Sequence, residues 1–160
     1  MSDGSHFLYF WDRDTLIQKR KVVVTRFDGR EQNQLSELEF IDGLVCCNIW
    51  HSDHIICVSP VTGKSVREYD MSSLWPSNER GDSENVLNGI ALGHDHILLT
   101  GKQWDRMYKI KFPDWEIFDN EKKNSSLKIG DYRQSPQSII IRGVRLSRRR
   151  KGGVRIGIIS

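Results

Sequence analysis

The chain has 160 residues, 38% hydrophobic and 28% charged, an ordinary balance for one domain with a buried core. No run of about 18 apolar residues occurs, so the sequence predicts no membrane-spanning helix. The net charge of +3 hides a division, because residues 1–119 carry 13 Lys and Arg against 19 Asp and Glu (net −6) and residues 120–160 carry 11 against 2 (net +9). We therefore expect a domain over residues 1–119 and a basic tail over residues 120–160, either disordered or unrelated to the domain.

Short apolar segments separated by polar turns follow one another from residue 7 to residue 111. The Asp42-Gly43 pair between two of them is a strong signal for a tight β-hairpin. A longer loop over residues 71–84 has room for one helical turn, but no segment has the periodicity of a long helix. The sequence therefore predicts an all-β domain with strands over residues 7–11, 22–24, 35–41, 44–50, 55–60, 66–69, 87–92, 98–104 and 107–111.

A weak internal repeat gives these strands a period. The segment from Leu8 resembles the segment from Ile55, 47 positions later, and the segment from Met107 follows 52 positions after that. An all-β repeat of about 40–50 residues is typical of a β-propeller, in which each repeat forms one blade. An accidental likeness within a simple meander is the alternative.

The hairpin predicted from the strands over residues 87–92 and 98–104 carries the residues with the most distinctive chemistry. Gly89 lies in its first strand, and its second strand ends with Gly101, Lys102 and Trp104. Glycines permit a close approach of the backbone to a ligand, and a lysine beside a tryptophan supplies charge and an apolar wall. A tryptophan in the core beside a solvated lysine is the plainer interpretation.

Metal binding is not predicted. Cys46, Cys47 and Cys57 do not have the spacing of a zinc site, and adjacent strand residues face opposite sides of a sheet. We expect all three cysteines to be buried free thiols. His94 and His96 have a spacing that could place both on one face of a strand, but a polar turn is the better interpretation.

The basic tail does not favour a nucleic-acid site. Residues 145–151 are rich in arginine but have no interleaved aromatic residues on which bases could stack. A solvated tail is the main interpretation, with a tether to nucleic acid or to a membrane surface as the weaker alternative. The first residues show no secretory signal, and the sequence assigns no compartment.

Several stretches, in the same order and at compatible spacing, resemble the glutamine cyclotransferases, the plant and bacterial type of glutaminyl cyclase. They are LSELEF (35–40), NIWHSD (48–53), ICVSPVTGK (56–64), VLNGIA (86–91) and LTGKQW (99–104). The likeness covers roughly residues 2–112. It implies a five-bladed β-propeller that converts the N-terminal glutamine of peptides or proteins into pyroglutamate with release of ammonia, without a cofactor.

The resemblance also implies roles for individual residues. Lys102 would polarise the side-chain carbonyl or stabilise the oxyanion, and Trp50 would wall the pocket. Ser36 occupies the position of a family asparagine, so a shorter hydroxyl replaces an amide. Asn88 and Trp104, in the matching stretches, would bind substrate. Two further departures from the family pattern are a histidine at position 51 and an asparagine at position 85.

The likeness begins in what would be the interior of a full-length family member. Residues 1–5 resemble the stretch that precedes a middle strand of the family. We therefore expect roughly two to three blades, with the first blades and a glutamate that acts as general acid and base missing upstream, and with open blade faces through which chains could associate. The alternative function is a non-catalytic propeller remnant that binds peptides or proteins through Trp50, Trp104 and its exposed blade faces.

Overall fold

The computed structural model describes residues 1–112 and Trp115, together with the backbone of residues 140–148 and 154–159. The strands are β1 (Phe7–Trp11), β2 (Gln18–Val23), β3 (Leu35–Ile41), β4 (Leu44–Ile49), β5 (His54–Val58), β6 (Ser65–Asp70), β7 (Leu87–Leu92), β8 (Ile97–Gly101), β9 (Arg106–Lys111), β10 (Ile140–Arg148) and β11 (Val154–Ile159). One short 3-10 helix, Ser77–Glu79, lies in the loop between β6 and β7. The prediction of an all-β domain is confirmed for the described residues.

The strands form three antiparallel sheets. The first contains β1 and β2, the second has the order β3-β4-β5-β6, and the third has the order β11-β10-β9-β8-β7. Within each sheet, the strands pair with their neighbours in sequence, which is the meander that closely spaced hairpins produce. The part of the chain described here contains no helix long and apolar enough to cross a membrane.

The turn between β3 and β4 has the conformation that its sequence predicts. Asp42 and Gly43 both have positive φ angles, 49° and 77°, and Ile41 pairs directly with Leu44. Two consecutive residues with positive φ match the twist of the flanking strands.

Strand β2 begins earlier than its sequence predicts. Lys19, Arg20 and Lys21 are exposed strand residues that have no apolar alternation, so binary patterning misses them. The Arg20 guanidinium lies 3.9 Å from the centre of the Phe10 ring on β1, and these two residues are direct partners in the sheet. This cross-strand contact stabilises a strand that the pattern alone does not indicate.

Two apolar cores lie on either side of the four-stranded sheet. One face packs against β1 and β2, and the other packs against β7, β8 and β9. Successive residues of β4 face opposite sides of the sheet. Cys46 therefore lies in the core shared with β7, β8 and β9, and Cys47 lies in the core shared with β1 and β2.

The prediction of three free thiols is wrong for two of the cysteines. Cys46 on β4 and Cys57 on β5 are direct partners in the sheet, with 4.0 Å between their Cα atoms, and they form a disulfide. Cys47 stays a free, buried thiol. Burial raises the pKa of the Cys47 thiol to about 12, so this thiol stays protonated and unreactive near neutral pH.

Part of the basic tail continues the third sheet. Ile141 on β10 pairs with Ile110 on β9, and β11 pairs with β10. The backbone of these two strands is thus part of the third sheet, and the assignment of residues 120–160 to a disordered or unrelated tail stays a prediction. Residues 120–139 lie outside the described residues, and the domain boundary near residue 119 stays a prediction.

Candidate active site

Two irregular strand positions bring polar side chains together between the second and third sheets. The pairing of β3 with β4 shifts between Ser36 and Leu38, where Glu37 has a φ of +36°. The pairing of β7 with β8 shifts between Leu87 and Ile90. Such bulges turn side chains away from the regular alternation of a strand and are common next to active sites.

These bulges are joined by one hydrogen bond. The Ser36 hydroxyl donates to Asn88 Oδ1 at 2.6 Å, and strand β3 lies against strand β7. The hydrogen bond therefore fixes the positions of two predicted site residues that are 52 positions apart in the chain.

Two glycines allow the neighbouring strands to come close enough. A Cβ atom at Gly89 would lie 2.7 Å from Thr100 Cγ2, and one at Gly101 would lie 2.2 Å from the Trp104 ring. Both glycines thus permit a close approach, as the sequence predicts, but the approaching group is a neighbouring side chain. An alanine at either position would displace strand β8 or the Trp104 ring.

A cleft of about 620 Å³ opens beside the Ser36–Asn88 hydrogen bond. Its lining contains four of the five predicted site residues, and the full set is Asp3, Gly4, Gln34, Leu35, Ser36, Trp50, Asn88 and Lys102. We call this space the cleft. Strands β3 and β7 and the segments that follow β4 and β8 therefore converge on one site.

Trp50 forms a wall of the cleft. It directly follows β4, and its backbone N–H donates to the Gln34 carbonyl at 2.9 Å. Its ring lies tilted at 45° against that of His51, with 4.3 Å between ring centres, and the residue stays 42% exposed. A large, accessible aromatic face is thus available to a ligand.

Lys102 brings a positive charge to the cleft. Its backbone N–H donates to the Val86 carbonyl at 2.8 Å, and its Nζ lies 2.9 Å from a carboxylate oxygen of Glu84. The other oxygen of Glu84 lies 3.7 Å from His51 Nε2. Glu84 is not among the residues predicted from the sequence, because no motif marks a carboxylate that a loop delivers to a lysine 18 positions away.

A buried arginine fixes the loop that carries Glu84. Arg80 Nη1 lies 2.7 Å from Asp53 Oδ1, and its Nε donates to the Trp75 carbonyl at 2.6 Å. Asn85 Nδ2 donates in turn to the Arg80 carbonyl at 3.0 Å. These contacts join the loop to Asp53 and Trp75, and removal of one partner from the buried ion pair would be costly.

Trp104 lies behind the cleft and does not line it. The residue is 9% exposed, and its ring meets Trp75 and Tyr108 edge-on, at 5.3 and 5.9 Å between centres. Its indole N–H donates to the Asn85 carbonyl at 3.3 Å. The structure thus places Trp104 in the core, where it supports the loop next to Lys102.

The histidines of the β7–β8 hairpin lie in the polar turn that the sequence predicts. Asp95 accepts a hydrogen bond from His96 at 2.6 Å, and the ammonium groups of Lys111 and Lys109 lie 3.2 and 3.3 Å away. These neighbours, His96 first and then Lys111, hold the pKa of Asp95 well below its ordinary value. Among the residues that the structure describes, no group of three or more His, Cys, Asp or Glu is placed to hold a metal ion.

Comparison with known proteins agrees with the resemblance seen in the sequence. Residues 1–112 match the family model described as glutamine cyclotransferase. The chain is 37% identical over 137 residues to a glutaminyl-peptide cyclotransferase of Arabidopsis thaliana, an alignment that covers 82% of this chain and 39% of the relative. The crystal structure of Myxococcus xanthus glutaminyl cyclase is similar, with a TM-score of 0.65 and 34% identity over 69% of this chain and 49% of that one. The chain spans less than half the length of these two relatives, and it belongs to the glutamine cyclotransferase family.

Proposed function

We propose that this chain contributes the cleft of a glutaminyl-peptide cyclotransferase, which converts the N-terminal glutamine of a peptide or protein into pyroglutamate. The supporting observation is the convergence of Ser36, Trp50, Asn88 and Lys102 on one cleft in a member of this family. The proposed substrate class is a peptide with a free N-terminal glutamine.

The reaction makes three demands on the site. The α-amine attacks the side-chain amide carbon, a new C–N bond closes the ring, and the old C–N bond breaks to release ammonia. One proton moves from the attacking amine to the departing nitrogen, so the site needs a group that accepts and returns it. The amine must also be held in attack geometry, and the oxyanion of the tetrahedral intermediate must be stabilised.

The described residues meet two of these demands. The Lys102 ammonium can leave Glu84 for the substrate carbonyl oxygen, where negative charge develops. Trp50 covers the apolar stem of the glutamine side chain and excludes water. The hydrogen bond from Ser36 to Asn88 Oδ1 fixes the orientation of the Asn88 side-chain amide. Its N–H groups can therefore hold the substrate in position.

The third demand, proton transfer, we assign to a glutamate outside the residues that the structure describes. The described strands form three sheets, and we propose that these sheets belong to two to three blades of an incomplete propeller. Trp11 on β1 is 46% exposed, so the edge sheet retains apolar surface that another blade or a second chain would cover. We propose that such an association completes the site.

Ammonia release tests the proposed function directly. The purified chain, in the assembly that completes its site, is incubated with glutaminyl-glycinamide, and with the N-acetylated peptide as a control whose amine cannot attack. We expect ammonia from the first peptide alone, with folding verified by circular dichroism. A folded chain that binds the peptide without releasing ammonia would support the non-catalytic binding module instead.

Replacement of Trp50 by alanine is expected to raise KM about tenfold, the effect of losing roughly 1.4 kcal/mol of aromatic contact. Because the side chain is exposed, the free energy of unfolding should change by less than about 0.5 kcal/mol. Phe27→Ala is a matched control, since Phe27 is also an exposed aromatic residue and lies outside the cleft. Equal KM values for the two variants would remove Trp50 from the binding site. Steady-state kinetics and urea unfolding supply the two measurements.

A further inference from the structure

A second cavity of about 510 Å³ adjoins the cleft. Polar side chains dominate its lining, and those that matter here are His51, Asp53, Asn78, Arg80, Asp82 and Asn85. We call this space the polar cavity. Its composition contrasts with the aromatic wall of the cleft, so it suits a different part of a ligand.

Two consecutive residues line the cleft and the polar cavity, one residue for each space. Trp50 lines the cleft and the next residue, His51, lines the polar cavity. Glu84 connects the two sides, since its carboxylate lies 2.9 Å from Lys102 Nζ and 3.7 Å from His51 Nε2. Because the consecutive residues Trp50 and His51 line the two spaces, we infer that a peptide whose first residue occupies the cleft extends toward the polar cavity.

The polar cavity has an excess of negative charge and of hydrogen-bond acceptors. Among the described residues that line it, the cation is Arg80, whose side chain is 5% exposed and lies 2.7 Å from Asp53, so these two charges cancel. The Asp82 side chain accepts one hydrogen bond, from the Glu84 backbone N–H at 2.9 Å, and it remains exposed. Within the described residues, buried Asn85 Oδ1 has no hydrogen-bond donor. A donor-rich cation fits these surroundings.

We propose that the polar cavity is a subsite for the residue that follows the N-terminal glutamine, and that it selects an arginine or lysine there. This subsite rests on the cyclotransferase function proposed above, because it presumes a glutaminyl peptide in the cleft. Asp82 is the specificity-determining residue, since a guanidinium or ammonium group can pair with its carboxylate. Glu84 lies between the two spaces and extends the negative field toward the peptide.

The test compares two peptides that differ in the charge of the second residue, Gln-Arg-Gly-amide and Gln-Glu-Gly-amide. We expect kcat/KM to favour the arginine peptide about fivefold, the ratio that an exposed ion pair of up to about 1 kcal/mol gives. Asp82→Asn should abolish most of this preference, and raising the salt concentration should reduce it. Asp28→Asn is the matched control, because Asp28 is an exposed carboxylate paired with Arg30 outside both spaces.

The same comparison is repeated with the pyroglutamyl forms of both peptides, which cannot react, by isothermal titration calorimetry. A binding preference for the arginine form that Asp82→Asn removes would support the subsite, even if no ammonia is released from either substrate. That combination would refute the cyclotransferase function alone. Equal binding of the two forms, binding of neither, or a preference that survives Asp82→Asn would overturn the subsite.

Discussion

Replacing Lys102 by alanine is expected to lower kcat for ammonia release at least about 100-fold, because the variant loses a positive charge directed at the developing oxyanion. KM should change less, since the ammonium stabilises the transition state more than it stabilises the bound substrate. The fold should survive, because the side chain is 48% exposed and its partner Glu84 is 44% exposed. Steady-state kinetics on glutaminyl-glycinamide, with circular dichroism of the variant, measures both effects.

Two further variants test whether kcat depends on the positive charge at position 102 or on the loss of any positive charge from the surface. Lys102→Arg keeps the charge but changes its geometry, so we expect it to retain part of the activity. Lys109→Ala removes a lysine of comparable exposure that is paired with Asp95 and lies outside the cleft, and it should leave kcat unchanged. If Lys102→Ala were as active as Lys109→Ala, the role of Lys102 in catalysis would be refuted.

The regular strands are the part of the fold that sequence patterns predict well. Alternation marks β3, an apolar run marks β4, and Asp42-Gly43 marks the turn between them, because these signals depend on neighbouring residues only. The polar start of β2 escapes prediction because its stability depends on a cross-strand contact between Arg20 and Phe10. The strands β10 and β11 escape it because a run of arginines is typical of a solvated tail.

The sequence predicts which residues line the cleft but not how their side chains are arranged. Motif likeness selects Ser36, Trp50, Asn88 and Lys102, and all four line one space. The hydrogen bond between Ser36 and Asn88 depends on two bulges in different sheets, which no local pattern encodes. Likewise, a sequence motif does not indicate the orientation of a side chain. The Trp104 ring lies against Gly101 and in the core.

The disulfide did leave a signal in the sequence. Cys46 lies five positions before His51 and Cys57 lies five positions after Ser52, so a hairpin centred on His51 and Ser52 makes the two cysteines direct partners. That register is observed. The odd number of cysteines and the choice of free thiols as the ordinary state of buried cysteine concealed it.

Removal of this disulfide by the double substitution Cys46→Ala and Cys57→Ala is expected to lower the free energy of unfolding by about 3 kcal/mol. The bond joins β4 to β5 across a sequence separation of 11 residues, and it restricts the unfolded chain. Urea unfolding with and without a reducing agent measures the effect. The reducing agent should destabilise the original chain by a similar amount and leave the double variant unaffected.

The free thiol of Cys47 serves as an internal reference when thiols are counted before and after reduction. In denaturant, thiol titration of the oxidised chain should detect one thiol before reduction, that of Cys47, and three after reduction. In the folded chain, the burial that raises the Cys47 pKa to about 12 should make its alkylation slow. Three thiols before reduction would show that Cys46 and Cys57 are not joined, and the stability of the four-stranded sheet would then rest on its two apolar cores alone.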